Sequence, residues 1–210
     1  ALAEWTGARP AIVSLEPNGL ADVLADVRRV AAALGAPARG EALVAEMSAR
    51  MAAVAARAGE LGERPRVVCI EWIEPLMSAG NWMPELVELA GGESVFGEPG
   101  VHSPWIEWED VVAADPDVLL VSPCGFDLDR TRADWPAREA RPGWAGLRAV
   151  STGRVALADG VAFFHRSGPR LVESVEILAE ILHGEAFPPS WRGRAWDWHP
   201  AGSPSGIGAP

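Results

Sequence analysis

The chain has 210 residues, a formal net charge of −11 at pH 7 and a hydrophobic fraction of 49%. This length and composition predict a globular protein with one domain or two small lobes, and argue against intrinsic disorder. The acidic balance argues against sequence-independent nucleic-acid binding, which needs a basic surface. No apolar run approaches the roughly 18 residues that span a bilayer, so the chain is not expected to cross a membrane.

The first 63 residues predict a short strand followed by two helices. PAIVSL, at 10–15, is a β-type run, and the following EPNG turn contains Asn18, which is suited to cap a helix. Apolar residues then recur at three- and four-residue steps over 20–34 and again over 39–61. The second helix has more than twenty residues, which makes a rod of roughly 30 Å or more.

From residue 65 onward, strand patterns and helix patterns alternate. The run RVVCIEW is a near-continuous apolar strand of the kind that is buried on both faces. Two more strands are predicted at 118–121 and 154–159, and helices near 84–90, 108–114, 144–150 and 169–182, with a loop at 160–169. This alternation predicts an α/β lobe with a mainly parallel sheet. Beyond His183 the sequence is rich in Pro, Gly, Trp and Ser and predicts a tail.

Ligands of parallel α/β sheets bind outside the carboxyl ends of the strands. In this chain those ends carry Glu71 and Trp72, the segment 122–125, and Asp159. Trp82 lies in SAGNW on the same edge, just before a helix. Its indole is either a wall for a flat apolar ligand or a hydrophobic staple at the start of that helix.

Enzyme and metal motifs are absent from the sequence. It has no GxSxG elbow, no Walker loop and no HExxH, so no catalytic residue and no enzyme activity are predicted. It also has no CxxC or Cys/His cluster, so no zinc site is predicted. Cys69 is expected to be a buried free thiol, and Cys124 follows a strand; a disulfide between them stays open.

Four passages of the sequence resemble segments of the class III (helical-spine) solute-binding proteins of ABC importers, and they follow one another in the order that this family has. NWMPELVELAGG is similar to the family's Trp–Pro–helix–Gly-Gly segment, and WEDVVAADPDVLLVS to its helix, Asp-Pro-Asp-Val and strand unit. FFHRSGPRLVESVEILAEIL resembles the Arg-x-x-Pro-Arg loop with its closing helix, and SLEPNGLADVLADVRRVAAALG the approach to the spine. The similarity covers residues 11–182 and is greatest to the cobalamin-binding subgroup.

The resemblance implies an α/β fold in which a parallel-sheet, three-layer C-terminal lobe follows a long spine helix. This is part of the helical-backbone metal-receptor and solute-binding fold. Residues 1–37 would be the last strand and helix of an N-terminal lobe that is otherwise missing, 38–63 the spine helix, and 64–185 the C-terminal lobe. Residues 186–210 would be a Pro/Gly/Trp-rich tail. The chain begins ALAEWTGARP, without the regions of a signal peptide. We therefore expect either a cut chain or a protein that is not exported by that route.

The resemblance also implies ligand contacts. Trp82 would stack on a corrin or chelate face, and the 160–169 loop would contribute Phe163 and Arg166. As polar groups at strand ends, Glu71, Trp72 and Asp159 are placed to bond ligand amides or hydroxyls, and the alternative role is helix or loop capping. His165 is either a metal ligand or a hydrogen-bonding residue. Arg170 is expected to be structural.

The resemblance further implies a non-catalytic protein that delivers cobalamin to an ABC importer permease, with no cofactor of its own. Glu88 matches the glutamate with which family members dock on permease arginines; without the resemblance it is an ordinary solvated charge. Two alternatives stay open. The first is that the same fold binds a ferric siderophore or haem. The second is that the chain is a cytosolic regulatory or scaffold fragment without a transport role. The location is periplasmic or extracytoplasmic if the native chain has a signal peptide, and otherwise cytoplasmic.

Overall fold

The computed structural model describes residues 12–138 and 140–200. Its strands form one sheet in the order β2-β1-β4-β5-β6, and β3 pairs with the beginning of β1. The strands are Arg66–Ile73 (β1), Leu76–Ser78 (β2), Glu93–Ser94 (β3), Val118–Val121 (β4), Val155–Ala158 (β5) and Trp196–Trp198 (β6). β1, β4 and β5 run parallel in the centre. The predicted parallel sheet is therefore confirmed for its central strands, whereas β2 and β6 are antiparallel edges.

The helices lie on both sides of this sheet. They are Leu20–Ala33 (α1), Pro37–Gly59 (α2), Met83–Leu89 (α3), Trp108–Ala114 (α4), Leu128–Asp134 (α5), Arg148–Ser151 (α6) and Leu171–Leu182 (α7). Two short 3₁₀ turns span Trp135–Arg138 and Trp144–Gly146, and a π-helical turn spans Gly160–Phe164. The helix predicted near 144–150 is thus divided into a 3₁₀ turn and α6.

Two apolar clusters make the fold a three-layer structure. Val67 and Cys69 of β1 pack on the side of α2, α3 and α7. Their neighbours Val68 and Ile70 pack on the side of α4 and α5. Because successive side chains of a strand point to opposite faces, an uninterrupted apolar strand is buried on both sides, as its sequence predicts. The three-layer lobe is confirmed.

The spine helix α2 has 23 residues and buries one face, which includes Val44, Met47 and Met51. It packs against α1 and α7, and Arg50 forms a 2.7 Å ion pair with Glu176 of α7. No helix among the described residues has the length and hydropathy that crossing a membrane requires.

The strand predicted over 10–15 is wrong for residues 12–15, which lie in no strand; residues 10 and 11 lie outside the described part. Ile12 is 81% exposed. A strand needs a hydrogen-bonded neighbour, and none of the described strands pairs with this segment. The next helix is capped by Gly19 rather than Asn18, and the Asp22 carboxylate accepts the backbone N–H groups of both residues.

The tail predicted over 186–210 is wrong for much of its described portion. Trp196 is 2% exposed and belongs to β6, which pairs with β5. The lobe therefore continues past residue 185 and closes its sheet with an edge strand. Residues 201–210 lie outside the described part.

Candidate functional site

The carboxyl ends of β1, β4 and β5 meet at one edge of the sheet, as parallel strands require. A β-bulge occurs at this edge: Ile70 pairs with Ser78, while Trp72 pairs with Met77. Glu71 is the additional residue between these two pairs. Bulges bend a strand and redirect a side chain, and they are frequent beside functional sites. Here the bulge presents Glu71 and Trp72 together.

Glu71 is held by two polar neighbours from distant parts of the chain. The Ser103 hydroxyl donates to Glu71 Oε2 at 2.5 Å, and the backbone N–H of Gly80 donates to Ser103 Oγ at 3.0 Å. His165 Nδ1 lies 3.9 Å from Glu71 Oε1, and His165 Nε2 contacts the carbonyl of Ser122. The Ser103 hydroxyl thus points to the Glu71 carboxylate and not to the imidazole of His165.

Burial is the main influence on His165, and it lowers the pKa of the imidazole. The Glu71 carboxylate and the Ser122 carbonyl act in the opposite direction but are the smaller causes. His165 is therefore neutral in the folded protein at neutral pH. It serves as a hydrogen-bonding residue, one of its two predicted roles.

We expect His165→Gln to flatten the pH dependence of stability below pH 6.5. In the unfolded chain the pKa of this histidine is near 6.5, whereas burial lowers the pKa in the folded protein. The unfolded chain therefore binds a proton more readily, and the stability that neutral His165 contributes above pH 6.5 is lost as the pH falls. Urea unfolding at several pH values between 7 and 5 measures this slope. His102→Gln, at an exposed histidine, is the control, and equal slopes for the wild type and His165→Gln would contradict the expectation.

Trp82 is half-buried at the start of α3, where it packs against the larger apolar cluster. Its indole N–H donates to the carbonyl of Phe164 at 3.0 Å. Asn81, with φ of 52°, turns the chain in the left-handed region that asparagine tolerates. The indole is thus fixed against the 160–164 turn.

The loop predicted at 160–169 contains the π-helical turn. Phe164 is fully buried, whereas Phe163 is half-buried, with its ring edge-on to Trp191 at a centroid distance of 5.5 Å. Arg166 is exposed, and its Nε donates to the carbonyl of Val161 at 3.1 Å. The terminal guanidinium nitrogens of Arg166 form no bond to another described residue, and they are available to a ligand.

Asp159 and Trp72 have local partners. The Asp159 carboxylate accepts the backbone N–H of Ala162 at 2.7 Å and so caps the turn. Trp72 is 37% exposed, and its N–H donates to the carbonyl of Glu74 at 2.9 Å. Capping thus engages one oxygen of Asp159, while the ring of Trp72 remains accessible.

Glu88 lies apart from these residues on the exposed side of α3. It forms no ion pair with another described residue. Together with Glu85 and Glu63 it lines a cavity of about 610 Å³ between α3 and the end of α2. The lining also includes Arg64, so three carboxylates and one guanidinium surround the cavity.

Three cavities of about 660, 610 and 480 Å³ lie elsewhere on the surface, and none of them is lined by Trp82, Phe163 or Arg166. Among the described residues no group of three or more His, Cys, Asp or Glu side chains is arranged to hold a metal ion. Cys69 is buried and Cys124 exposed, and both thiols are free. Burial raises the pKa of Cys69 to about 12.

A protein-family model described as "Periplasmic binding protein" matches residues 7–162. The chain belongs to the periplasmic binding protein family. Within this family it is 35% identical over 85 residues to the uncharacterized ABC transporter substrate-binding lipoprotein YvrC of Bacillus subtilis (strain 168). That match covers 40% of the chain but only 24% of the relative's length.

Solved structures of periplasmic binding proteins share the fold. An ABC transporter substrate-binding protein from Listeria monocytogenes EGD-e superposes with a TM-score of 0.72 at 17% identity, covering 87% of this chain and 70% of that one. The periplasmic haem-binding protein RhuT from Roseiflexus sp. RS-1, in apo form, gives 0.68 at 27% identity, covering 88% and 70%. The helical-spine solute-binding fold inferred from the sequence is confirmed.

Proposed function

We propose that this periplasmic binding protein binds a corrinoid at the carboxyl edge of its sheet and delivers it to an ABC importer. The observation that carries the proposal is Trp82, a half-buried indole whose N–H is bonded to the 160–164 turn. An indole fixed in this way offers a rigid flat face to a flat ligand at little conformational cost. The edge is also where ligands of parallel α/β sheets bind.

The polar groups of the edge suit the periphery of a corrinoid, which carries amides and a phosphate. Arg166 has free guanidinium donors for a phosphate or an amide oxygen, and Glu71 and the second oxygen of Asp159 accept from amide N–H groups. Phe163 and Trp72 add apolar area beside Trp82. The role is binding without chemistry, which agrees with the family.

Haem is the second candidate ligand. The support for it is the likeness to RhuT, a haem-binding protein at 27% identity. Haem is also flat, and Arg166 suits its carboxylates. Ferric siderophores remain a third candidate on the basis of the sequence resemblance.

Glu88 is proposed to dock on basic residues of the permease, in the extracytoplasmic space. Its exposure and its acidic neighbours favour a basic partner and predict association that weakens with salt.

Glu88→Arg should reduce capture of the chain by the permease in nanodiscs. Glu109→Arg, on the opposite side of the lobe, should leave capture unchanged, and equal capture of both variants would contradict docking through Glu88.

Titration of the chain with cyanocobalamin, hemin and ferrioxamine B, followed by tryptophan fluorescence, tests the ligand. We expect saturable quenching by cyanocobalamin, and an affinity about tenfold lower in Trp82→Ala, because about 1.4 kcal/mol of stacking is lost. Trp198→Ala is the matched control, since Trp198 is also half-buried but pairs with Ala156, away from the carboxyl end of β5. Tighter hemin binding would favour haem, and quenching by none of the three would contradict the proposal.

A further inference from the structure

The cavity of about 660 Å³ lies at the amino end of the sheet, opposite the edge proposed for the corrinoid. Its lining comes from the segments that precede β1 and β5, from the carboxyl end of α7, and from the chain between α7 and the end of β6. None of the residues assigned to the carboxyl edge belongs to this lining. The volume is within the range of cavities that hold small organic molecules.

Arg154 is the cation of this lining that has no carboxylate partner. Its Nη2 donates to the carbonyls of Leu182 at 2.9 Å and Ile181 at 3.4 Å, at the carboxyl end of α7. Its Nε and Nη1 form no hydrogen bond with another described residue, and Asp117 and Glu63 act on it only from beyond ion-pair distance. Burial is the main influence on this side chain and lowers the pKa of the guanidinium. A half-buried guanidinium that is fixed in place and poorly neutralised is suited to bind an anion.

The other charged groups of the lining leave this role to Arg154. Arg192 already forms a 3.1 Å ion pair with a carboxylate of β6, and the Glu180 carboxylate accepts four N–H groups. Glu63 and Glu185 are exposed. Water and salt therefore weaken their repulsion of an anion more than they weaken the attraction of the half-buried Arg154.

Aromatic side chains supply the apolar part of the lining. Trp198 is half-buried at the end of β6, and its ring stands at 86° to that of Trp196, with a centroid distance of 4.8 Å. The Trp196 indole N–H donates to Glu180, whereas the Trp198 indole N–H forms no hydrogen bond with another described residue. Phe187 is also half-buried and lines the same cavity. Flat rings and a free donor thus border the cavity together with the guanidinium.

We infer that this cavity is a second ligand site, which takes a small aromatic carboxylate. Arg154 binds the carboxylate, with Nε and Nη1 as the donors of charge-assisted hydrogen bonds. The rings of Trp198 and Phe187 pack against the aromatic part of the ligand. Glu63 and Glu185 would favour an organic cation instead, and its binding is an outcome of the test. The site shares no residue with the proposed corrinoid site and does not depend on it.

Isothermal titration calorimetry of the full chain with indole-3-acetate and tryptamine tests the inference, because the two probes share a ring and differ in charge. We expect saturable binding of indole-3-acetate, and about tenfold weaker binding of tryptamine. Arg154→Gln should weaken the binding of indole-3-acetate about tenfold. Arg194→Gln is the matched control, because it removes the same charge at an exposed arginine outside the lining, and it should leave the affinity unchanged.

Trp198→Ala gives a second test, because Arg154 also bonds the end of α7 and its replacement affects the fold. We expect about tenfold weaker binding in Trp198→Ala, and recovery of most of the affinity in Trp198→Phe, which keeps a flat ring. Thermal unfolding checks that each variant is folded. Absence of indole-3-acetate binding, equal binding of tryptamine, or unchanged affinity in Trp198→Ala would overturn the inference. A chain that binds indole-3-acetate but not cyanocobalamin would refute the proposed function alone.

Discussion

Replacement of Glu180 by alanine is expected to lower the free energy of unfolding by about 4 kcal/mol, because several buried donors lose their acceptor at once. Glu180 lies on α7 and is 3% exposed. Its carboxylate accepts four N–H groups at 2.8–2.9 Å, from the backbone of residues 190, 191 and 192 and from the indole of Trp196. These bonds attach the segment before β6 to the lobe.

Urea unfolding measures this loss, and the summed tryptophan emission should shift to longer wavelength as the edge strand with Trp196 loosens. Glu176→Ala is the matched control on the same helix. Its partner Arg50 is 43% exposed, and such surface ion pairs contribute about 0–1 kcal/mol. A loss below about 1 kcal/mol in Glu180→Ala would show that the carboxylate does not hold this segment.

Gly160→Ala is expected to destabilise the protein by about 2–3 kcal/mol, through overpacking against backbone atoms that cannot move aside. A Cβ at Gly160 would collide with the carbonyl oxygen of Pro123 and would lie 2.8 Å from that of Ser122. The Gly160–Phe164 turn would have to move away from the end of β4. Because this turn positions Phe163 and receives the Trp82 hydrogen bond, ligand affinity should fall as well.

Gly168→Ala is the control for this substitution, in the same loop. A Cβ there meets no atom within 4 Å, so the change should alter stability by less than about 1 kcal/mol. Thermal unfolding compares the two variants. Equal stability of Gly160→Ala and Gly168→Ala would contradict the close approach of the turn to β4.

Elements with strict local patterns could be predicted from the sequence. The predicted helix at 108–114 and the predicted strand at 118–121 have the observed bounds. The helix packs against one layer and the strand is buried between two, so burial sets the spacing of the apolar residues in both elements. The Asp115-Pro116 turn separates the helix from the strand. The helical-spine fold was expected from the resemblance of four passages to the class III solute-binding proteins, not from apolar spacing alone.

Elements that depend on distant partners could not be predicted. β2 and β6 have three residues each, too few for a periodic signal, and they exist because β1 and β5 offer unpaired edges. The bulge at Glu71 is visible only in the register with β2. Ser103 could not be predicted as a neighbour of Glu71, because 32 residues separate them in the chain.

The indole ¹⁵N–¹H spectrum of the chain during titration with cyanocobalamin tests the proposed corrinoid site most directly, because each tryptophan gives its own signal. Binding at the carboxyl edge predicts that the signals of Trp72 and Trp82 shift, while those of the buried Trp135, Trp144 and Trp196 stay in place. An unchanged spectrum with cyanocobalamin and with hemin, or shifts confined to Trp196 and Trp198 near β6, would contradict ligand binding at the carboxyl edge of the sheet.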